Sequence, residues 1–204
     1  MIVPMFPLGT ALLPHAPLPL HVFEQRYRAL VRDCLAGDRR FGVALIERGS
    51  EVGGGDVRFD VGCIAHIARA DELPDGRWML VAEGVEKITV REWLSDHPYP
   101  RADVEPAGDP PWTVECDAAL GSALDSFRRV VAIAGELGAD VDPTVLDLTG
   151  DPPIDAWLLA GRAPIGPLDR HALLRAASGV ERMRLLQELL DDLHGVLAAR
   201  LHGG

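Results

Sequence analysis

Apolar residues along the chain change their spacing twice, and each change predicts a different kind of element. From residue 25 onward Tyr27, Leu30, Val31, Cys34 and Leu35 fall at i, i+3, i+4, i+7 and i+8. That is one stripe of a helix whose other face carries Gln25, Arg28, Arg32 and Asp33. Gly37 supplies its C-terminal stop. Ahead of the helix, an apolar segment at residues 2–6 leads into Pro7, Pro14, Pro17 and Pro19. Their fixed φ and missing N–H groups favour extended or edge backbone over a central strand or a helix.

Beyond Gly37 the runs shorten to strand length. Residues 40–47 contain Phe41-Gly42-Val43-Ala44-Leu45-Ile46, which predicts a strand covered on both faces. Gly53-Gly54-Gly55 reads as a hairpin or loop tip, because it lacks the lysine and following hydroxyl of a phosphate-binding loop. Residues 62–69 and 77–82 are predicted to pair antiparallel across Leu73-Pro74-Asp75-Gly76, where proline presets the first central φ and glycine tolerates a positive one. Two further strands are expected at 86–93, where Ile88, Val90 and Glu92 share a face, and at 99–105. Several short strands with one helix inserted early predict a small β-barrel or a curled antiparallel sheet.

The period then becomes helical again. Pro106-Ala107-Gly108-Asp109-Pro110-Pro111 interrupts any regular element, so a β-rich subdomain at 1–107 and a helical one at 113–202 are expected. Thr113 is the predicted N-cap of a helix with Glu115 and Asp117 in its first turn. Leu120, Leu124, Phe127, Val131 and Ala134 trace its apolar face, and Gly135 and Gly138 end it. Asp151-Pro152 opens a short helix through Trp157 to Gly161, and Gly166-Pro167 opens another. Ser178 and Glu181 have capping-box spacing ahead of a last helix, whose stripe is Val180, Met183, Leu186, Leu189, Leu190, Leu193 and Leu197. The fold class is therefore α+β, with a C-terminal helical bundle.

Composition narrows the function classes. The 204 residues are 48% hydrophobic and 25% charged, an ordinary globular balance. A formal net charge of −11, with Lys87 as the single lysine, argues against nucleic-acid binding, which needs clustered cations. Cys34, Cys63 and Cys116 are odd in number and widely separated, which points to a reducing compartment without disulfides. No basic leader followed by an apolar run and no long uncharged window occurs, so a cytoplasmic protein without membrane contact is expected.

The proline-rich opening is similar to a known family. Pro7-Leu8, Leu12-Leu13-Pro14 and Pro17-Leu18-Pro19-Leu20-His21-Val22-Phe23-Glu24-Gln25-Arg26-Tyr27 resemble the opening signature of the Lon protease N-terminal (substrate-binding) domain family, in which Phe23-Glu24-x-Arg26-Tyr27 is the most specific part. The family's usual Pro-Gly at the first corner is Pro14-His15 here. Gly62-Cys63-Ile64-Ala65 and Gly84-Val85-Glu86-Lys87-Ile88 resemble its barrel. Trp157-Leu158-Leu159-Ala160, Pro164-Ile165, Leu173-Leu174, Ser178, Glu181-Arg182 and Leu185-Leu186 resemble its end, with Gly166 where the family has a serine cap. The resemblance implies a PUA-like barrel followed by helices. It also implies a structural role for Pro14, Pro19, Glu24, Arg26 and Tyr27.

Candidate chemistry is sparse. Full-length members of that family add ATPase and Ser-Lys protease modules, but this chain has no GxxxxGK[ST] segment and Lys87 has no serine signature nearby. No catalytic residue is predicted, and a family-derived peptidase label is not expected to apply. His15, His21, Cys63 and His66 do not make a zinc set, because Cys63 and His66 would point to opposite faces of a strand; no metal or cofactor is predicted. Cys34 on the apolar stripe reads as core, and Glu24 beside the helix start as structural.

What is left is protein binding. Leu12, Leu13, Leu18, Leu20, Val22 and Phe23 either line an exposed groove or plug the barrel, and Trp78, Trp93 and Trp112 share that ambiguity. The leading expectation is a stand-alone, non-catalytic module that binds unfolded clients or a protease or adaptor partner in protein quality control. Its rivals are an adaptor for one folded partner, marked by a flat apolar patch, and a hydrolase, marked by convergent carboxylates or a Cys–His contact.

Overall fold

In a computed structural model, which describes residues 1–49, 51, 55–139 and 148–203, the chain divides into two compact units, Met1–Gly108 and Asp109–Gly204. Gly53 and Gly54 of the expected loop tip lie outside the described residues. Among the described residues there are six strands and five helices.

The first unit contains β1 (Ile2–Leu8), β2 (Pro17–Val22), α1 (Gln25–Ala36), β3 (Arg40–Arg48), β4 (Val57–Glu72), β5 (Trp78–Trp93) and β6 (Arg101–Pro106). They form one sheet in the order β2-β5-β4-β3-β1-β6, and β6 also pairs with β5. The curl agrees with the expected small β-barrel or curled antiparallel sheet, and the structure departs from that expectation in two respects. First, β1 and β3 run parallel, with Phe6 opposite Val43 and Leu8 opposite Leu45. Parallel neighbours need a long crossover, and β2 with α1 supplies it. Second, the β5–β6 pairing curls the sheet back on itself while β2, paired only with β5, keeps a free edge.

The segments expected as two strands, 77–82 and 86–93, are one strand, β5. It bends at a bulge: Gly84 pairs with Ala65 and Glu86 with Ile64, so Val85 is the extra residue. Because the bulge inserts one residue, Trp78, Leu80 and Ala82 face one core while Ile88 and Val90, of the same parity, face another. Gly84 does not mark a turn. A Cβ there would lie 2.1 Å from the Leu13 carbonyl oxygen and 3.2 Å from Cys63 Sγ. The Pro74-Asp75-Gly76 turn forms as read, with Gly76 at φ +78° and Gly76 N–H donating to Leu73 O at 2.8 Å.

Both faces of the curled sheet contribute to a core, while the outer side of β2 and the first half of β5 faces solvent. One core gathers Phe6, Leu8, Leu18, Val22, Phe41, Val43, Cys63, Ala65 and Ile67 against Tyr27, Leu30, Val31 and Cys34 of α1; the other holds Val3, Met5, Ala44, Ile64, Ile88, Val90, Ala102 and Val104. Tyr99 donates to Asp33 at 2.6 Å, which ties α1 to the segment leading into β6. Cys34 donates to the Arg40 carbonyl at 3.1 Å, so this thiol belongs to the core.

The second unit is helical: α2 (Val114–Glu136), α3 (Pro152–Arg162), α4 (Pro167–Arg175) and α5 (Gly179–Gly203). The apolar face of α2 differs from the predicted one. Leu120 and Phe127 are buried, but with Ala119, Ala123, Ser126, Val130 and Ile133, whereas Leu124, Val131 and Ala134 are half-buried. The small residues at 119, 123 and 126 do not stand out as core in the sequence; here they lie on the buried face of α2, whose main helical neighbour is α5. Thr113 and Asp151 hold the N-cap positions of α2 and α3 without a side-chain cap bond. At α3 the capping is done from inside the helix, where the Asp155 carboxylate accepts from Thr149 N–H, Thr149 Oγ1 and Gly150 N–H at 2.7–3.1 Å. At α5 Glu181 N–H donates to Ser178 Oγ at 3.2 Å, and the Glu181 carboxylate reaches back to Ala177 N–H.

At the centre of this unit stands a cation. Arg182 is 1% exposed, lies 3.4 Å from the Trp157 ring centroid, donates through Nε to Leu173 O at 3.2 Å and pairs with Asp109 at 2.6 Å. Burial pulls its pKa below the usual arginine range, while Asp109 opposes that shift.

A candidate binding groove along the free edge of β2

The proline-rich signature folds into the wall of a groove. Gly84 N–H donates to Ala16 O at 3.0 Å, which sets the phase of the β2–β5 ladder. Leu18, Leu20 and Val22 therefore turn their backbone groups toward β5, and Pro17, Pro19 and His21 turn theirs to the free edge. Prolines cost the sheet nothing there, since the edge needs no donor. They also leave that edge rich in carbonyl acceptors, with the His21 N–H as its one donor among these three.

Between this edge and the end of β1 lies a cavity of about 190 Å³. Phe6, Leu8 and Tyr27 line it from β1 and α1, residues 19–22 from β2 with Phe23 just past its end, and Glu24 and Glu51 at its polar rim. Its wall is preorganised. The Tyr27 ring stacks on Phe6 at 4.0 Å and 11°, and the Arg26 guanidinium stands 4.4 Å from the same ring's centroid. Two partners that close occupy opposite faces of the ring. Arg26 is itself held, donating to Glu24 Oε2 at 3.2 Å and to the Glu51 carbonyl at 3.0 Å, while Gly9 N–H donates to the Glu51 carboxylate. Burial pushes the Tyr27 phenol up to about 12; Arg26 opposes this, and Asp56 and Glu24 add to it. Its hydroxyl is buried without a hydrogen-bond partner.

The structure separates the residues expected to bind. Leu12, Leu13, Leu18 and Val22 are buried, Leu20 is half-buried, and Phe23 is 52% exposed beside His21, ring centroids 6.0 Å apart. Only Leu20 and Phe23 of that set present apolar surface, and the other four hold the core. Pro14 is buried and Pro19 exposed. Trp78 is buried, Trp93 lies under the Arg58 guanidinium at 4.7 Å, and Trp112 donates to Asp117 at 2.7 Å. His15 stands at φ +61°, the left-handed conformation in which glycine is unstrained.

Cys63 is buried, with its thiol pushed up to about 12 by that burial, and His66 lies on the opposite face of β4. Burial, with Asp38 and Asp33, likewise raises Cys34 to about 12, a poor setting for a nucleophile. Among the described residues no group of three or more His, Cys, Asp or Glu side chains is placed to hold a metal ion. No helix among them is long and apolar enough to cross a membrane.

Two features were not anticipated. Glu51 joins the groove from a loop distant in sequence. Met79 and Val81, 45% and 44% exposed, pair with His21 and Pro19 and extend apolar surface across the solvent face of β2 and β5. Their outward direction was available from the alternation along 78–82; the approach of Glu51 had no local signal.

Comparison with known proteins points one way. A family model described as the ATP-dependent protease La (LON) substrate-binding domain matches residues 2–192. Lon protease 2 of Herpetosiphon aurantiacus is 30% identical over 98% of this chain and 25% of its own length, and Lon protease 2 of Myxococcus xanthus 28% identical over 96% and 24%. The chain thus spans about a quarter of the length of these curated relatives. A Lon N-terminal domain protein from Xanthomonas campestris superimposes with a TM-score of 0.62 at 27% identity, covering 94% of this chain and 98% of that one. The N-terminal domain of a Mycobacterium avium complex Lon protease gives 0.68 at 20% identity over 94% and 99%, a likeness of fold.

Proposed function

We infer a function from family membership: the chain belongs to the LON substrate-binding domain family. It is a non-catalytic protein-binding module that recognises unfolded or apolar protein segments in cytoplasmic quality control. The observation that carries this reading is the match to a substrate-binding family over residues 2–192. The groove supports it, since the family signature itself forms the wall and leaves Leu20 and Phe23 on the surface. Burial of apolar side chains there contributes about 25 cal/mol per Å² before ordering costs, so affinity is modest. The peptidase activity in the relatives' names is not carried over to this chain. A second reading, an adaptor for one folded partner, draws on the exposed Met79 and Val81 opposite His21 and Pro19.

The test compares binding to a chemically unfolded model protein and to its native form. The wild type binds the unfolded form selectively, and Phe23→Asp, whose site is exposed and whose melting is unchanged, weakens binding about tenfold. Failure of the well-folded wild type to bind the unfolded form contradicts the reading and favours the adaptor.

A further inference from the structure

The groove has a chemical bias that apolar recognition alone does not use. Nearly every polar group it offers is an acceptor. The free edge of β2 exposes carbonyls at Pro17, Pro19 and His21 against one N–H, and Glu24 and Glu51 stand at the rim. Tyr27 lines the groove, and its hydroxyl is buried and has no hydrogen-bond partner among the described residues. Arg26 is bonded into the rim and already committed to the Glu24 carboxylate, the Glu51 backbone carbonyl and the Tyr27 ring, while the Glu51 carboxylate accepts only from Gly9 N–H among the hydrogen bonds of the described residues. The chain as a whole carries −11. The walls, by contrast, are Phe6, Leu8, Pro19 and Leu20, and about 190 Å³ holds one long side chain. An apolar channel ending in acceptors matches a residue with an apolar stem and a donor-rich cationic head.

We propose that this groove takes an arginine or lysine side chain of an extended client segment, its stem along Phe6 and Leu8 and its head at Tyr27 Oη and the Glu24 and Glu51 carboxylates. The proposal rests on the protein-binding function above and specifies which client segments are preferred: apolar ones that carry a cation.

The experiment measures anisotropy of short labelled peptides of one apolar sequence with arginine, citrulline or glutamate at the central position, alongside the unfolded model protein. The arginine peptide binds about tenfold tighter than the citrulline peptide, the gap narrows at high salt, and the glutamate peptide is weakest. Tyr27→Phe weakens the arginine peptide about threefold to tenfold while melting at or above the wild-type temperature, because the hydroxyl it removes bonds nothing in the fold. Should that variant not fold, Glu51→Gln gives the same loss. Equal binding of the arginine and citrulline peptides by a protein that still binds unfolded client overturns this proposal and leaves the broader function standing. Binding of neither peptide nor client overturns both.

Discussion

The two units differ in what they bury. Met1–Gly108 buries carbon on both sides of a curled sheet, whereas among the described residues Ser126, Asp155, His171 and Arg182, each buried whole with a polar or charged side chain, belong to Asp109–Gly204. The curled sheet satisfies its polar backbone in the ladder, and its buried charge is an ion pair at the start of β4, Arg58 with Asp56, side chains 7% and 1% exposed. The helical unit uses side chains to satisfy backbone groups at helix ends: Asp155 caps the start of α3, and Arg182 answers the Leu173 carbonyl in the last turn of α4. The lesson is that the same chain can be broken selectively.

High pH breaks the comparison hardest. Cys34 and Cys63 move from an ordinary value of 9.0 to about 12, and Tyr27 and Tyr99 from 10.0 to about 12, all four in the first unit and all chiefly through burial. A raised acid pKa means the unfolded chain loses its protons first, so stability is intact below pH 9 and falls as pH rises toward 12. The loss reaches the order of 5 kcal/mol by about pH 11. Far-UV circular dichroism with denaturant at stepped pH should show strand signal lost before helix signal.

Removing the second unit's cation has the converse result. Arg182→Ala removes the guanidinium that pairs with Asp109 and bonds the Leu173 carbonyl and costs about 3–5 kcal/mol, read from denaturant unfolding followed by Trp157 fluorescence. A loss under 1 kcal/mol would show that the stacked guanidinium is dispensable. Gly84→Ala is smaller, about 1–3 kcal/mol, because the new methyl meets the Leu13 carbonyl; its loss should appear in the first unit's transition. The mildest change is a gain. Gly195→Ala adds a methyl to α5 with nothing within 4 Å, and should stabilise the helical unit by about 0.5–1 kcal/mol in the same assay.

Legibility in the sequence followed the range of the interaction concerned. Stripe and stop of α1 were readable because both are fixed within a few residues, and so was the Pro-Asp-Gly turn. The parallel β1–β3 pairing was not, since it depends on where a crossover lands. Nor was the single strand β5, because Gly84 resembles a break until the Leu13 carbonyl is seen beside it. At the groove, residues 17–23 were identified, but alternation along an edge strand decides which of them are core. Leu18 and Val22 face inward while Phe23 lies just past the strand. Glu51 and the free Tyr27 hydroxyl belong to tertiary structure alone.

On the proposed function, clients meet the first unit at the free edge of β2. Hydrogen exchange of the chain with and without a saturating unfolded client tests it most directly. Slowed exchange is expected in residues 19–27, near Glu51 and at the His21 N–H, with the helices of the second unit unchanged. Protection confined to α2 and α5 would contradict it.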